Sequence, residues 1–253
     1  MLDPVDRSSA GRPVRHTQTL FASIARRYDL ANTVLSGGLH LAWKRRAVAD
    51  AVLRRGDRVL DAGVGTGDLS RRALAAGASV IGVDVSLEML TLARLKLDRA
   101  AFRCVGGDIS QLPFIADSFD AVLTAFTLRH PTDLNEALRE LRRVLAPGGR
   151  LVILEFARPT RPLVAAAYRA YSTFIPVLGG WLAGDADAYA YLVESIRRFP
   201  AQALLAERLE AAGFQDVGYR NLTGGVVAVH TAVRPLSEKT QGYWPLPCEC
   251  PPR

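Results

Sequence analysis

The sequence predicts an α/β protein built on a doubly wound, mostly parallel sheet of about seven strands. Three observations carry this. Apolar strand-like runs alternate with helical segments, the first run bends into a helix through closely spaced glycines, and two β-rich segments around a glycine turn close the pattern. With 253 residues, 49% of them hydrophobic, the chain can bury one large core.

The runs "RVLDAGVG" at 58–65 and "ASVIGVDVS" at 78–86 have the composition of buried strands. "LSRRALAAG" between them is a helix stopping at Gly77, which makes one βαβ unit. Further apolar runs at 101–108, 119–128 and 149–156 each follow helical or turn sequence. Leu134, Leu138, Leu141 and Leu145 recur at spacings of four, three and four, the buried stripe of a helix that Pro147 and two glycines end. "FQDVGYRNL" and "VVAVHTAVRP" flank "TGG" and read as an antiparallel hairpin on the sheet edge. Residues 157–200 are a helical insertion, rich in alanine and aromatics, after the carboxyl end of the fifth strand, where such sheets bind ligands. The expected division is a flexible N-terminus over 1–18, one domain over 19–233 and a proline-rich disordered tail over 234–253.

Cys104, Cys248 and Cys250 form no C-x-x-C pair, so a disulfide framework and a structural zinc site both lack ligands, and no metal is expected. No stretch of 18 residues is free of charges and breakers; neither export nor membrane spanning is indicated, and a cytoplasmic protein is expected. The formal charge of +7 is unevenly placed: residues 12–55 hold nine Lys or Arg against Asp29 and Asp50. Such a segment meets nucleic-acid phosphate, anionic lipid, or only solvent.

Gly63-x-Gly65-x-Gly67 brings bare backbone close to a ligand, because a Cβ there would occupy the ligand's space. Dinucleotide sites carry their third glycine where this chain has Asp68. An acid near a helix start repels a pyrophosphate and suits a cation, such as S-adenosylmethionine with its sulfonium and ammonium. The chain has no Gly-Lys pair, H-E-x-x-H or G-x-S-x-G, so P-loop, metalloprotease and serine hydrolase readings fall. Asp84 closes the second run, seventeen residues past Gly67, where it can accept both ribose hydroxyls; Asp108 closes the third and can accept from the adenine amino group; Asp61 can reach the ligand's amine through water. The alternative for these aspartates is capping of the following helices. Loop and strand-end acids in this order are the signature of the class I, Rossmann-like fold of S-adenosylmethionine-dependent methyltransferases.

The segments "FASIARRYDLANTVLSGGLHLAWKRRAV", "LDAGVGTGDLS", "LPFIADSFDAVLTAFTLR", "LRRVLAPGGRLVILEFARP", "GDADAYAYLVESIRRFP" and "YRNLTGGVVAVH" carry a resemblance across about residues 20–233. The chain resembles the ubiquinone and menaquinone biosynthesis C-methyltransferases. That resemblance implies methylation of a ring carbon of a polyprenylated quinol, with demethylmenaquinol favoured. It places Thr66, Asp84 with Val85, Asp108 with Ile109, and Ala125 at cofactor positions, with Tyr28 of the N-terminal segment nearby. Ala125 stands where relatives often have serine, and "FTLRH" replaces F-G-L-R-N, so Thr127 and His130 are substitutions beside the presumed reaction site.

On that reading Arg129 orients or stabilises a phenolate, His130, titrating near pH ~6.5, takes the proton, and Tyr171 lines the acceptor pocket. Each has a plainer alternative: Arg129 anchors Glu155, His130 bonds backbone ahead of Pro131, and Tyr171 is core. The N-terminal segment and the insertion are expected to form a helical lid, with Leu163, Tyr168, Phe174 and Trp181 around an isoprenoid tail. Arg26, Arg27, Lys44, Arg45 and Arg46 are expected to hold the protein peripherally against anionic headgroups at the inner face of a membrane. No nucleic-acid partner is expected, since no N-P-P-Y or D-P-P-Y follows the fourth strand and Pro247-Cys248 sits in the tail; a homodimer stays open. The competing readings are a small-molecule O-methyltransferase of the same fold and a non-catalytic quinone-binding member.

Overall fold

The computed structural model describes residues 28–98, 100–183 and 186–236. Residues 1–27, with Arg26 and Arg27, and 237–253, with Pro247 and Cys248, lie outside the described residues, as do the side chains of Tyr28 and Trp181.

Among the described residues two helices come first, α1 (Tyr28–Ser36) and α2 (Leu39–Asp50). The alternating core follows: β1 (Arg58–Ala62), α3 (Asp68–Ala75), β2 (Ser79–Asp84), α4 (Leu87–Lys96), β3 (Phe102–Gly106), β4 (Phe119–Ala125), α5 (Leu134–Val144) and β5 (Leu145–Phe156). The insertion supplies α6 (Pro162–Ala183) and α7 (Ala186–Arg198), and the described residues continue through α8 (Gln202–Ala211), β6 (Gln215–Leu222) and β7 (Val227–Val233). The sheet order is β3-β2-β1-β4-β5-β7-β6. β1 to β5 are parallel, and β7 runs antiparallel between β5 and β6. The predicted hairpin therefore closes one side of the sheet, with β7 inserted beside β5 and only β6 at the edge.

Period-two alternation assigns neighbouring strand residues to opposite faces, and both faces are covered, which is why these strands read as continuous apolar runs. On β5, Val152 and Leu154 join Trp43, Ala47 and Leu90 on one face, while Leu151 and Ile153 join Leu138, Leu141, Leu205 and Leu209 on the other. Leu145 belongs to β5 and not to the helical stripe that its spacing predicts, because pairing with Phe119 begins there. Ala31, Ile175 and Tyr189 form a separate small cluster that fixes α1 against the insertion. Arg234, the first residue of the expected tail, is tied down: its N–H donates to Gly149 O at 2.9 Å and its guanidinium to the carbonyl of Arg143 at 3.1 Å.

The sheet order reverses between β1 and β4. The carboxyl ends of strands at such a switch point bound a crevice that no crossover covers.

Candidate active site

Three chambers meet at that crevice. The first is a cleft of about 750 Å³ lined by Gly63, Gly65, Val83, Asp84, Val85, Met89, Asp108, Ile109, Ala125 and Phe126. Asp84 ends β2, and its carboxylate accepts the N–H of Gly65 at 2.8 Å and of Ser86 at 2.9 Å, which holds the glycine bend against the strand tip. Burial raises its pKa against those hydrogen bonds. Gly63 and Gly65 both have positive φ, +80° and +52°. A Cβ on Gly63 would strike Thr127 Oγ1 at 2.1 Å, whereas one on Gly65 would meet no protein atom within 4 Å, so the space there is free for a ligand.

One expectation for this region changes, and one gains a local hydrogen bond beside it. Gly67 does not line the cleft; a Cβ there would meet Leu97 Cδ1 at 2.7 Å, so glycine serves close packing of the loop on α4. Asp108 lies beyond β3 and its Oδ1 accepts the Ser110 N–H at 2.8 Å, a local turn bond, although the residue still borders the cleft.

The second chamber is a polar hollow behind the bend, about 340 Å³, lined by Lys44, Asp61, Gly65, Thr66, Asp68, Ala125 and Phe126. Asp61 Oδ2 accepts the N–H and the hydroxyl of Ser70 at 2.9 and 2.6 Å. Its Oδ1 is buried with no hydrogen-bond partner among the described residues. Burial pushes this carboxyl up to about 6. Asp68 departs from its expected role: Lys44 Nζ is 2.8 Å away and, against the opposing effect of burial, keeps the carboxyl below its ordinary value, so its charge is answered from within the chain. Thr66 Oγ1 donates to Asp29 Oδ1 at 2.6 Å, and Lys96 also pairs with Asp29, which fastens α1 to the bend.

The third chamber is apolar, about 1240 Å³, between α1, α2, the insertion and the sheet. It is lined among others by Leu35, His40, Trp43, Arg129, Tyr168, Tyr171, Ile175 and Tyr191. Tyr168, Tyr171 and Ile175 lie on one stripe of α6. Leu163 and Phe174 do not join them: they are 86% and 61% exposed on another side of the helix. Tyr171 lines the cavity, and its hydroxyl donates to the Leu35 carbonyl, which ties the insertion to α1. Burial raises the Tyr168 hydroxyl to about 12.

Arg129 takes the alternative role named for it. Its Nη1 lies 3.0 and 3.2 Å from the two oxygens of Glu155, with the side chains 3% and 1% exposed, and its Cζ lies 5.9 and 5.4 Å from the ring centroids of Phe126 and Phe156. Burial raises the Glu155 carboxyl against the pull of Arg129. His130 stacks on Tyr191 with its Nδ1 3.1 Å from the phenol oxygen. Burial, then Arg129, lowers its pKa well below 6.5, so the expected titration near neutrality is lost.

Phe126 lines all three chambers, and His130 lines both the cleft and the apolar cavity. Phe126 holds φ +58°, unusual for a bulky residue, with its N–H on Leu154 O at 2.9 Å. Sequence reasoning gave no site role to His40, Phe126 or Tyr191, and it read Lys44 as a membrane-facing charge where the structure pairs it with Asp68. All four lie in the family-like segments quoted above, and that membership was the signal that could have found them. In the basic segment, Lys44 and Arg46 are paired with Asp68 and Asp50, while Arg45, Arg54 and Arg55 are exposed. Among the described residues no helix is long and apolar enough to cross a membrane.

The residues present fit the donor that the sequence implies: an unpartnered carboxylate oxygen suits an ammonium group, and the open position beside Gly65 admits a ligand to the bend. Among solved structures, a Thermotoga maritima protein described as a SAM-dependent methyltransferase, possible histamine N-methyltransferase, is similar over 87% of this chain and 100% of its own, with TM-score 0.63 and 21% identity. A Haemonchus contortus phosphoethanolamine N-methyltransferase in complex with S-adenosyl-L-methionine covers 72% of this chain and 50% of its own, with TM-score 0.54 and 19% identity. A ubiquinone/menaquinone biosynthesis C-methyltransferase of Azotobacter vinelandii is 44% identical over 229 residues, 87% of this chain and 90% of that relative. The description of the ubiE/COQ5 methyltransferases matches residues 11–234, and with that coverage the chain belongs to the ubiE/COQ5 methyltransferase family.

Proposed function

We propose that this protein transfers a methyl group from S-adenosyl-L-methionine to a ring carbon of a polyprenylated quinol, with demethylmenaquinol as the favoured acceptor. The observation that carries this reading is the shared wall: a glycine-lined cleft with acidic strand tips and a large apolar cavity meet at Phe126 and His130. Two ligands of opposite character can approach each other there, and alignment at such a junction supplies much of the rate.

When bound, S-adenosyl-L-methionine supplies an electrophilic methyl group. Asp84 and Asp108, with Val85, Ile109 and Ala125, hold the adenosyl half along the strand tips, and Asp61 faces the amino-acid end from the hollow. Gly63 and Gly65 give the ligand its backbone wall; Gly67 and Thr66 shape the bend from behind. In the cavity, Arg129, pinned by Glu155, stabilises negative charge on the acceptor's ring oxygen. His130, braced by Tyr191, and Tyr171, braced by Leu35, orient the ring and exclude water. Residues 19–233 act as the methyltransferase unit in this proposal.

Contact with a bilayer belongs to the same reading, because a polyprenyl chain partitions into lipid. Leu39 both lines the cavity and is exposed, and Leu30 and Val34 on α1 are exposed as well. Sedimentation with lipid vesicles is expected to depend on these residues more than on Arg45.

The decisive experiment incubates the purified protein with the donor and with demethylmenaquinol or its benzoquinol counterpart in detergent, followed by mass spectrometry of the product. Ring-carbon methylation supports the proposal. Methyl transfer to oxygen of a simple phenol alone favours the O-methyltransferase reading, and donor binding without any product favours a non-catalytic one.

A further inference from the structure

The acceptor cavity holds a second histidine that none of these roles uses. His40, the second residue of α2, is 5% exposed and lines the cavity with Trp43, Phe126 and Tyr171. Its Nδ1 lies 2.9 Å from Ser36 Oγ, the last residue of α1. The Ser36 hydroxyl has a single hydrogen, which it donates to the Asn32 carbonyl at 2.6 Å. Ser36 Oγ therefore only accepts from the ring, so Nδ1 carries the hydrogen and Nε2 the lone pair. The backbone N–H of His40 points to the same oxygen at 3.3 Å, which fits an oxygen that donates once and accepts twice. Nε2 makes no hydrogen bond among the described residues and is not sealed in the core, so it opens to the cavity.

The charges acting on this ring come from its own helix and from the two helices packed beside it. Burial first, then Lys44, lowers its pKa below 6.5; Asp68 of α3 and Asp29 of α1 oppose this, and Arg72 of α3 adds to it. The ring is neutral at pH 7, with a free electron pair on Nε2.

We propose that His40 Nε2 accepts the proton of the acceptor's ring hydroxyl and that Ser36 is the positioning residue that fixes the tautomer; the proposal rests on the quinol reading above. In this step the hydroxyl O–H bond breaks and its proton bonds to Nε2. The electron pair left on oxygen is delocalised to the ring carbon, which forms the new C–C bond as the methyl–sulfur bond breaks with its pair remaining on sulfur. The ring carbon's own hydrogen then leaves as a proton to water, and Nε2 returns its proton to the oxygen. One proton is released per turnover, and no oxidant or reductant is needed.

Two arms test this on the full chain. Two-bond 1H–15N correlation spectra at pH 7, with His40 assigned by the signal missing from His40→Asn, are expected to show a neutral ring protonated at Nδ1. An Nε2–H tautomer or an imidazolium overturns the proposal whatever the substrate. In the second arm, His40→Asn, whose amide nitrogen keeps the hydrogen bond to Ser36, is expected to turn over demethylmenaquinol about a hundredfold more slowly. Its affinity for S-adenosyl-L-methionine is expected to stay unchanged, and the acid limb of its kcat profile to disappear. Turnover close to wild type, or a parallel loss of donor affinity, overturns the proposal. Ser36→Ala is expected to give mixed tautomers at His40 with donor affinity intact, and an unchanged spectrum removes Ser36 from the role. A wild-type enzyme inert toward prenylated quinols overturns the function proposed above, whereas an active wild type with an equally active His40→Asn variant overturns only this inference.

Discussion

Asp61 is held where its charge is poorly answered: Ser70 satisfies one oxygen, and the other is buried with no partner among the described residues. Its folded pKa of about 6 lies above its ordinary 3.8, so its contribution to folding is fully present below pH 3.8 and is lost as pH rises through about 6. The shift corresponds to about 3 kcal/mol of destabilisation at pH 8 in the ligand-free protein. Asp61→Asn is therefore expected to raise the denaturant midpoint at pH 8 but not at pH 4, while weakening donor binding by about tenfold or more in calorimetry. A variant that loses stability at pH 8 would show that the Ser70 bonds outweigh the buried charge. Arg129 and Glu155 present the opposite case, a buried pair with each charge answered. Arg129→Met leaves Glu155 alone in the core and is expected to cost about 3–5 kcal/mol in chemical denaturation. Adding Glu155→Leu is expected to recover most of that loss without restoring turnover, which separates the pair's structural part from its part at the reacting oxygen.

At the level of elements, the glycine bend makes two different demands. Gly63→Ala drives a Cβ into Thr127 and is expected to prevent stable folding. Gly65→Ala meets open space and only the left-handed backbone penalty, about 1 kcal/mol, but its methyl occupies the ligand's side of the bend; it is expected to fold with a near-normal melting temperature and to lose donor affinity. Calorimetry paired with thermal unfolding distinguishes the two. The helix α1 is held at the bend by Asp29, half-exposed and bonded to Thr66 and Lys96. Asp29→Asn is expected to leave global stability within about 1 kcal/mol of wild type, since exposed pairs contribute little, while amide exchange rises across residues 28–36.

For the molecule as a whole, legibility followed the range of the interaction. The succession of strands and the bend were readable because parallel strands buried on both faces are short apolar runs, and because glycine spacing is local. The Arg129–Glu155 pair was visible as an alternative, since a lone acid inside the apolar run 149–156 needs a cation. What stayed hidden depends on contacts between elements far apart in sequence. Lys44 answers Asp68 across 24 positions, and Tyr191 braces His130 across 61. The acceptor chamber was predicted as a helical lid, but the stripe of α6 that faces inward includes Tyr168, Tyr171 and Ile175 and leaves Leu163 and Phe174 outside, a rotation that helix packing decides and residue type does not.

The helix roofing the oily chamber is also bolted to the polar one: Asn32, Leu35 and Ser36 border the cavity, while Asp29 on the same rod grips Thr66. Whatever loading of one compartment does to that rod is passed to its neighbour, so donor and acceptor must alter each other's dissociation constants by an identical factor. Titrating each ligand with and without saturating amounts of an inert analogue of the other is expected to return matching ratios different from one, and Asp29→Asn is expected to bring both back toward unity.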